Sequence, residues 1–190
     1  PGAVAPWTPW LSAAPATAGG GYEDVAVSTM RRIIGERLQS SVVTAPHFYV
    51  TVEVDMKAAA AARESLNRLT GLAVTFNDMI VKAVALSLLR HPTANASWQG
   101  ESVRYNSSAD IAVAVSIPDG LITPVVRACH LKGLAQISAE IKALAERAKG
   151  KKLSPDEYRG STFTISNLGM LGVEDFTAII NPPEACILAV

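Results

Sequence analysis

Over residues 28–44 the apolar positions Met30, Ile33, Ile34, Leu38 and Val42 recur at three- and four-residue spacing, the stripe of an amphipathic helix. Ser28 offers an N-cap hydroxyl. Ala45-Pro46 ends the helix, because the residue before a proline is pushed out of the α region. The period then changes to two. Phe48, Val50, Val52 and Val54 alternate with Tyr49, Thr51, Glu53 and Asp55, which predicts a half-buried strand over residues 47–55. Residues 57–69 return to helix, rich in alanine, with Ala59, Ala62, Leu66 and Leu69 along one side and Gly71 as the breaker. A third helix begins at Thr75 with Asp78 three residues on, a capping-box pairing. From Ile80 to Leu89 it is apolar nearly all round, which predicts deep burial, and His91-Pro92 stops it.

A turn-rich passage around Trp98-Gln99-Gly100 leads to a second alternating stretch, residues 110–117. Ile111, Val113, Val115 and Ile117 take one face, and the small Ala112, Ala114 and Ser116 take the other, where close packing is expected. Pro118-Asp119-Gly120 is a turn, and residues 122–127 form another short strand. Residues 134–149 form an amphipathic helix through Ile137, Ile141, Leu144 and Ala148, with Arg and Lys at its C-terminal end, where the dipole favours them. After a polar connection, Phe163 and Ile165 point one way and Thr162, Thr164 and Ser166 the other. That strand runs into Asn167, Gly169 and Gly172, a bend that lets backbone come close to a neighbour. Strands are also expected around residues 175–180 and, fully buried, over 185–190. Helices and strands interspersed in this way imply a mixed-sheet α/β or α+β domain.

Composition adds an organisational division. Residues 1–21 are rich in Pro, Ala and Gly and read as a flexible linker carrying Trp7 and Trp10; residues 22–190 read as one domain. The chain is 49% hydrophobic and only 18% charged, which suggests surface buried against other subunits. Seventeen basic and seventeen acidic residues leave no field to gather nucleic acid. No apolar run approaches the roughly 18 residues of a membrane span, and no secretory signal is expected. Cys129 and Cys186 fit no metal spacing; Cys186, in an apolar run, is expected to be a buried thiol in a reducing compartment. Arg31, Arg32 and Arg37 lie off the first apolar stripe, either as a solvated face or as contacts to a neighbour or an anionic ligand.

Alone, Ser166 is a hydroxyl satisfying backbone at a strand end. The longer runs change that reading. They are Ser166-Asn167-Leu168-Gly169-Met170, Asn181-Pro182-Pro183-Glu184-Ala185-Cys186-Ile187-Leu188, Met30-Arg31-Arg32-Ile33, Pro46-His47-Phe48-Tyr49, Phe76-Asn77-Asp78 and Gly120-Leu121-Ile122-Thr123-Pro124. In this order they resemble the catalytic domain of the dihydrolipoamide acyltransferases, the core subunits of 2-oxoacid dehydrogenase complexes, over about residues 22–190, and most of all the pyruvate-specific branch. The resemblance implies a chloramphenicol acetyltransferase-like fold with a trimeric building block, assembled into a cubic or dodecahedral core. It implies transfer of an acetyl group from a dihydrolipoyl thiol to coenzyme A, with the lipoyl group on a separate domain and no metal. Lipoyl domains, pyruvate dehydrogenase and dihydrolipoyl dehydrogenase subunits are the implied partners, in bacterial cytoplasm or mitochondrial matrix. It assigns Ser166 the stabilisation of the tetrahedral oxyanion and places Asn167 near the coenzyme A or lipoyl thiol. The family's general base is a histidine in an Asp-His-Arg-x-x-Asp-Gly run that this sequence does not contain, so the domain is expected to be C-terminally incomplete. His47 reads as structural or channel-lining, and the Cys129-His130 neighbours as no nucleophile pair, since adjacent extended side chains diverge. A second reading stays open: non-catalytic core homologues of the dihydrolipoyl dehydrogenase-binding type share the Ser-Asn-Leu-Gly-Met run.

Overall fold

The computed structural model describes residues 22–118 and 120–190. The expected linker, with Trp7 and Trp10, lies outside the described residues, as does Asp119 in the expected turn. Each of the four described helices begins or ends where its local chemistry dictates. Helix α1 (Thr29–Thr44) is capped by Ser28, whose hydroxyl accepts from Arg31 N. Helix α2 (Lys57–Thr70) stops at Gly71. Helix α3 (Phe76–Arg90) carries the full capping box: Asp78 N donates to Thr75 Oγ1 (3.2 Å), and Thr75 N to Asp78 Oδ2 (2.7 Å). Helix α4 (Leu134–Lys149) has Arg147 and Lys149 in its last turn.

The strands are short: β1 (Ala96–Trp98), β2 (Val103–Tyr105), β3 (Ile111–Val113), β4 (Val115–Ile117), β5 (Gly120–Ile122), β6 (Val125–Val126), β7 (Phe163–Ser166) and β8 (Ile187–Ala189). The main sheet has the order β6-β3-β7-β8. The β3–β6 pair is antiparallel, whereas β7 runs parallel to both β3 and β8. The sheet is therefore mixed, as expected. Its core face carries Ile111, Val113, Val126, Phe163 and Ile165 against Val81, Ala85 and Leu88 of α3 and Ile137 and Leu144 of α4. Period two thus sends Phe163 and Ile165 into the core and leaves Thr164 and Ser166 on the other face.

Several expectations are corrected. Residues 47–55 form no strand ladder, and Phe48, Val50, Val52 and Val54 are all exposed. Alternation sets only the side-chain period; a strand also needs an edge beside it, and the described residues offer none there. Residues 175–180 likewise form no ladder. The 110–117 strand breaks at Ala114, whose N–H donates to Ile165 O, so β3 enters the main sheet and β4 turns into a hairpin with β5. Residues 122–127 split in the same way, with Pro124 between β5 and β6. The passage around Trp98 is itself a hairpin, β1–β2. On α3, Leu86 and Leu89 are exposed, so burial covers one side only. Strand β8 is at the sheet edge and only half-buried. Cys129 is the buried thiol, and Cys186 is half-buried.

Two glycines are required by position. At Gly120, φ is +145°, and a Cβ there would lie 3.0 Å from Ile34 Cδ1, so the β4–β5 hairpin can approach α1 only without a side chain. Gly172 closes the turn after β7 at φ +74°.

Candidate active site

Ser166 is the last residue of β7, on the face opposite the core. It opens into a cavity of about 350 Å³ between the sheet, α1 and the irregular stretch 176–179. Arg37, Thr123, Thr164, Thr177 and Asn181 bring polar groups to the same cavity, and Ile34, Leu38, Phe176 and Ile187 supply apolar wall. Asn167, one residue on, points the other way. It lines a larger apolar groove of about 860 Å³ with Phe76, Met79 and Ile80 of α3 and Leu188. Its Oδ1 accepts from Gly169 N (3.0 Å). Successive residues on a strand face opposite sides, so the two predicted site residues serve two different spaces. Gly169 N also reaches Val190 O (3.2 Å), so backbone of the chain itself makes the close approach at this bend.

The cavity wall is tied together from distant parts of the chain. Ile180 is held at both backbone groups: its N–H donates to His47 Nε2 (3.0 Å), and its C=O accepts from Ser41 Oγ (2.6 Å). His47 Nδ1 in turn donates to Ala45 O (2.7 Å). Both ring nitrogens are engaged, so His47 is the neutral Nδ1–H tautomer in a structural role. Next along, Asn181 Nδ2 donates to Thr164 Oγ1 (3.4 Å) and to Glu184 Oε1 (3.2 Å), and Ser161 Oγ donates to the same Oε1. Glu184 is 5% exposed, and its Oε2 is buried without a partner. Burial pushes its carboxyl above the ordinary range against the opposing pull of the Ser161, Thr164 and Asn181 groups and the charge of Arg37.

At the other end of β7, Asp110 holds the entry. Its Oδ1 accepts from Ala128 N and Ser108 Oγ, both at 2.7 Å, and its Oδ2 meets Arg127 at 3.3 Å. Burial acts to raise its carboxyl, but these bonds and the arginine charge hold it below the usual value. Arg127 also donates to the carbonyls of Asp156, Arg159 and Gly160, and so fixes the loop that feeds β7.

None of the three histidines lines the Ser166 cavity. The Cys129-His130 neighbours form no nucleophile pair: Cys129 Sγ donates to Val126 O, burial raises the thiol to about 11, and His130 Nδ1 accepts from Ala109 N. Among the described residues no group of His, Cys, Asp or Glu could hold a metal ion. No described helix is long and apolar enough to cross a membrane. Sequence reasoning missed Thr164, Asn181 and Glu184 as a connected group. A carboxylate set inside an apolar run, Glu184 before Ala185-Cys186-Ile187-Leu188, was the available signal.

The sequence matches the family model of the 2-oxoacid dehydrogenases acyltransferase (catalytic domain) over residues 19–190. The chain belongs to this family. It is 50% identical over 185 residues to the dihydrolipoyllysine-residue acetyltransferase component of the mitochondrial pyruvate dehydrogenase complex of Schizosaccharomyces pombe, a match covering 96% of this chain and 38% of that protein. The chain spans about two fifths of the length of such relatives. Among solved structures it superposes on the Azotobacter vinelandii dihydrolipoamide acetyltransferase, in which the catalytic roles of a serine, a histidine and an asparagine were investigated. The TM-score is 0.86 at 34% identity, covering 90% of this chain and 72% of that one. It also superposes on the cubic core of the pyruvate dehydrogenase multienzyme complex, with a TM-score of 0.85 at 34% identity and the same coverage. The acyltransferase-core fold expected from the sequence is therefore the fold observed.

Proposed function

We propose that this domain transfers an acetyl group between the thiol of a dihydrolipoyl arm, carried on a separate domain, and the thiol of coenzyme A, and that it builds the self-assembled core of a pyruvate dehydrogenase complex. The single observation that carries the reading is the placement of Ser166: a strand-end hydroxyl facing a cavity lined by both polar and apolar side chains, in a chain of this family. The coenzyme A thiol attacks the thioester carbonyl, a carbon–sulfur bond forms, and the carbonyl oxygen becomes an oxyanion. The Ser166 hydroxyl donates to that oxygen. The intermediate collapses with release of the dihydrolipoyl thiolate, which takes up the proton lost by the attacking thiol. Family resemblance supports a histidine of the Asp-His-Arg run, supplied by a neighbouring subunit, as the group that carries that proton. Asn167, on the opposite face, is proposed to meet the arm that enters along the apolar groove.

The test is Ser166→Ala in the full-length protein, assayed by acetyl transfer between acetyl-coenzyme A and dihydrolipoamide. Loss of one oxyanion donor predicts a fall in kcat of about 10²–10³-fold with little change in KM. Unchanged kcat would remove Ser166 from the mechanism. A wild-type protein that assembles a core but transfers nothing would establish the scaffold reading instead.

A further inference from the structure

Asn181 has an amide whose orientation is dictated by its neighbours. Both Nδ2 protons are used, one on Thr164 Oγ1 and one on Glu184 Oε1. Glu184 Oε1 also takes the Ser161 hydroxyl proton. Turning the amide over would set Asn181 Oδ1 against a carboxyl oxygen already acting as an acceptor, a contact between two acceptors. The backbone leaves no freedom to escape, because Ile180 is held by His47 and Ser41 on both of its polar groups. Asn181 Oδ1 makes no hydrogen bond among the described residues, and the residue lines the cavity that Ser166 also lines. The wall therefore presents one oriented acceptor beside the predicted oxyanion donor.

The spacing selects what the acceptor can meet. Thr164 and Ser166 share a face of β7 two residues apart, about 7 Å at the usual strand rise. Asn181 is hydrogen-bonded to Thr164, so its acceptor is anchored beside the residue that stands this far from Ser166. In the thiol-bearing arm of coenzyme A two carbons separate sulfur from the first amide nitrogen. With an N–H···O contact of about 2.9 Å, that arm covers the same span. A dihydrolipoyl arm places its amide several carbons further from its thiols.

We infer that Asn181 Oδ1 accepts a hydrogen bond from the amide N–H nearest the thiol of coenzyme A, and that Glu184 is the positioning residue that keeps this oxygen turned to the cavity. The inference rests on the thiol transfer proposed above and names a contact for one of its two substrates.

The experiment is calorimetric binding to the full-length protein, without turnover, of coenzyme A and of an analogue methylated at that amide nitrogen, beside dihydrolipoamide and its N-methyl analogue. Loss of one hydrogen bond predicts that methylation weakens coenzyme A binding about three- to tenfold and leaves dihydrolipoamide binding unchanged. In Asn181→Ala the two coenzyme A forms should bind alike. Equal binding of both forms to the wild type overturns the inference even if the variant is poorly folded, since that comparison uses no variant. So does discrimination confined to dihydrolipoamide, or discrimination that survives in a folded Asn181→Ala. Coenzyme A binding without discrimination leaves the proposed transfer standing. A folded protein that binds no coenzyme A overturns both.

Discussion

Glu184 is a carboxyl placed where water cannot reach it, and its chemistry follows from that. Burial holds its proton more tightly than in an unfolded chain, where a glutamate titrates near 4.5. As pH rises past that value the unfolded state loses this proton first, so the folded state binds more protons and stability falls until the folded group also ionises. Glu184→Gln cannot titrate and removes this slope. Urea midpoints measured for both proteins from pH 4.5 to 8 should drift in favour of the Gln variant as pH rises, and parallel curves would show that Glu184 titrates normally. Asp110 and Glu157 act with the opposite sign. Their carboxyls are held low, Asp110 despite its burial and Glu157 chiefly by the Ser154 N–H and then by Arg147, so their contribution is lost as pH falls below the carboxylate range. Both are shared by the two proteins and cancel in the comparison. The facing of Ser166 was legible in its own strand, because alternation alone places it opposite Phe163 and Ile165, whereas the role expected of it came from the longer family runs. The Thr164–Asn181–Glu184 group was not, because its members meet through hydrogen bonds that no local period encodes.

Helix α3 serves the core and the apolar groove at once. Its Val81, Ala85 and Leu88 face the core, while Phe76, Met79, Ile80, Ala83 and Val84 line the apolar groove beside Asn167. Its start is set by the reciprocal Thr75 and Asp78 bonds, and Asp78 is 2% exposed. Thr75→Ala removes the acceptor for Asp78 N and should cost about 1 kcal/mol of stability. Thermal or urea unfolding checks this, and an unchanged midpoint would mean that the cap is satisfied another way. The helix was legible in sequence because caps and a breaker are local chemistry. Strands β1 and β2 were not, since three-residue strands carry too few alternations to stand above a turn-rich background.

At the scale of the molecule, the apolar stripe of α1 and the alternating stretch after it remain open. Val42, Phe48, Val50 and Val52 are 55%, 85%, 77% and 77% exposed. An exposed apolar stretch following an apolar helix face is costly in water and calls for cover, and the proposed self-assembly supplies it. Val42→Glu with Val50→Glu, neither of which lines the cavity or the groove, should shift the full-length protein to smaller species by light scattering; an unchanged assembly mass would place the subunit contacts elsewhere. The sequence by itself determined the helices, the mixed-sheet class, the facing of Ser166 and the family, because caps, breakers, side-chain period and ordered motifs are properties of neighbouring residues. Only the tertiary structure decided that residues 47–55 form no ladder, that the 110–117 strand divides between two sheets, that Ser166 and Asn167 serve separate spaces, and that Asn181 and Glu184 close on β7. Each of these depends on which groups arrive from elsewhere in the chain to satisfy a backbone edge or a buried polar atom, and a local pattern says only that such a partner is needed.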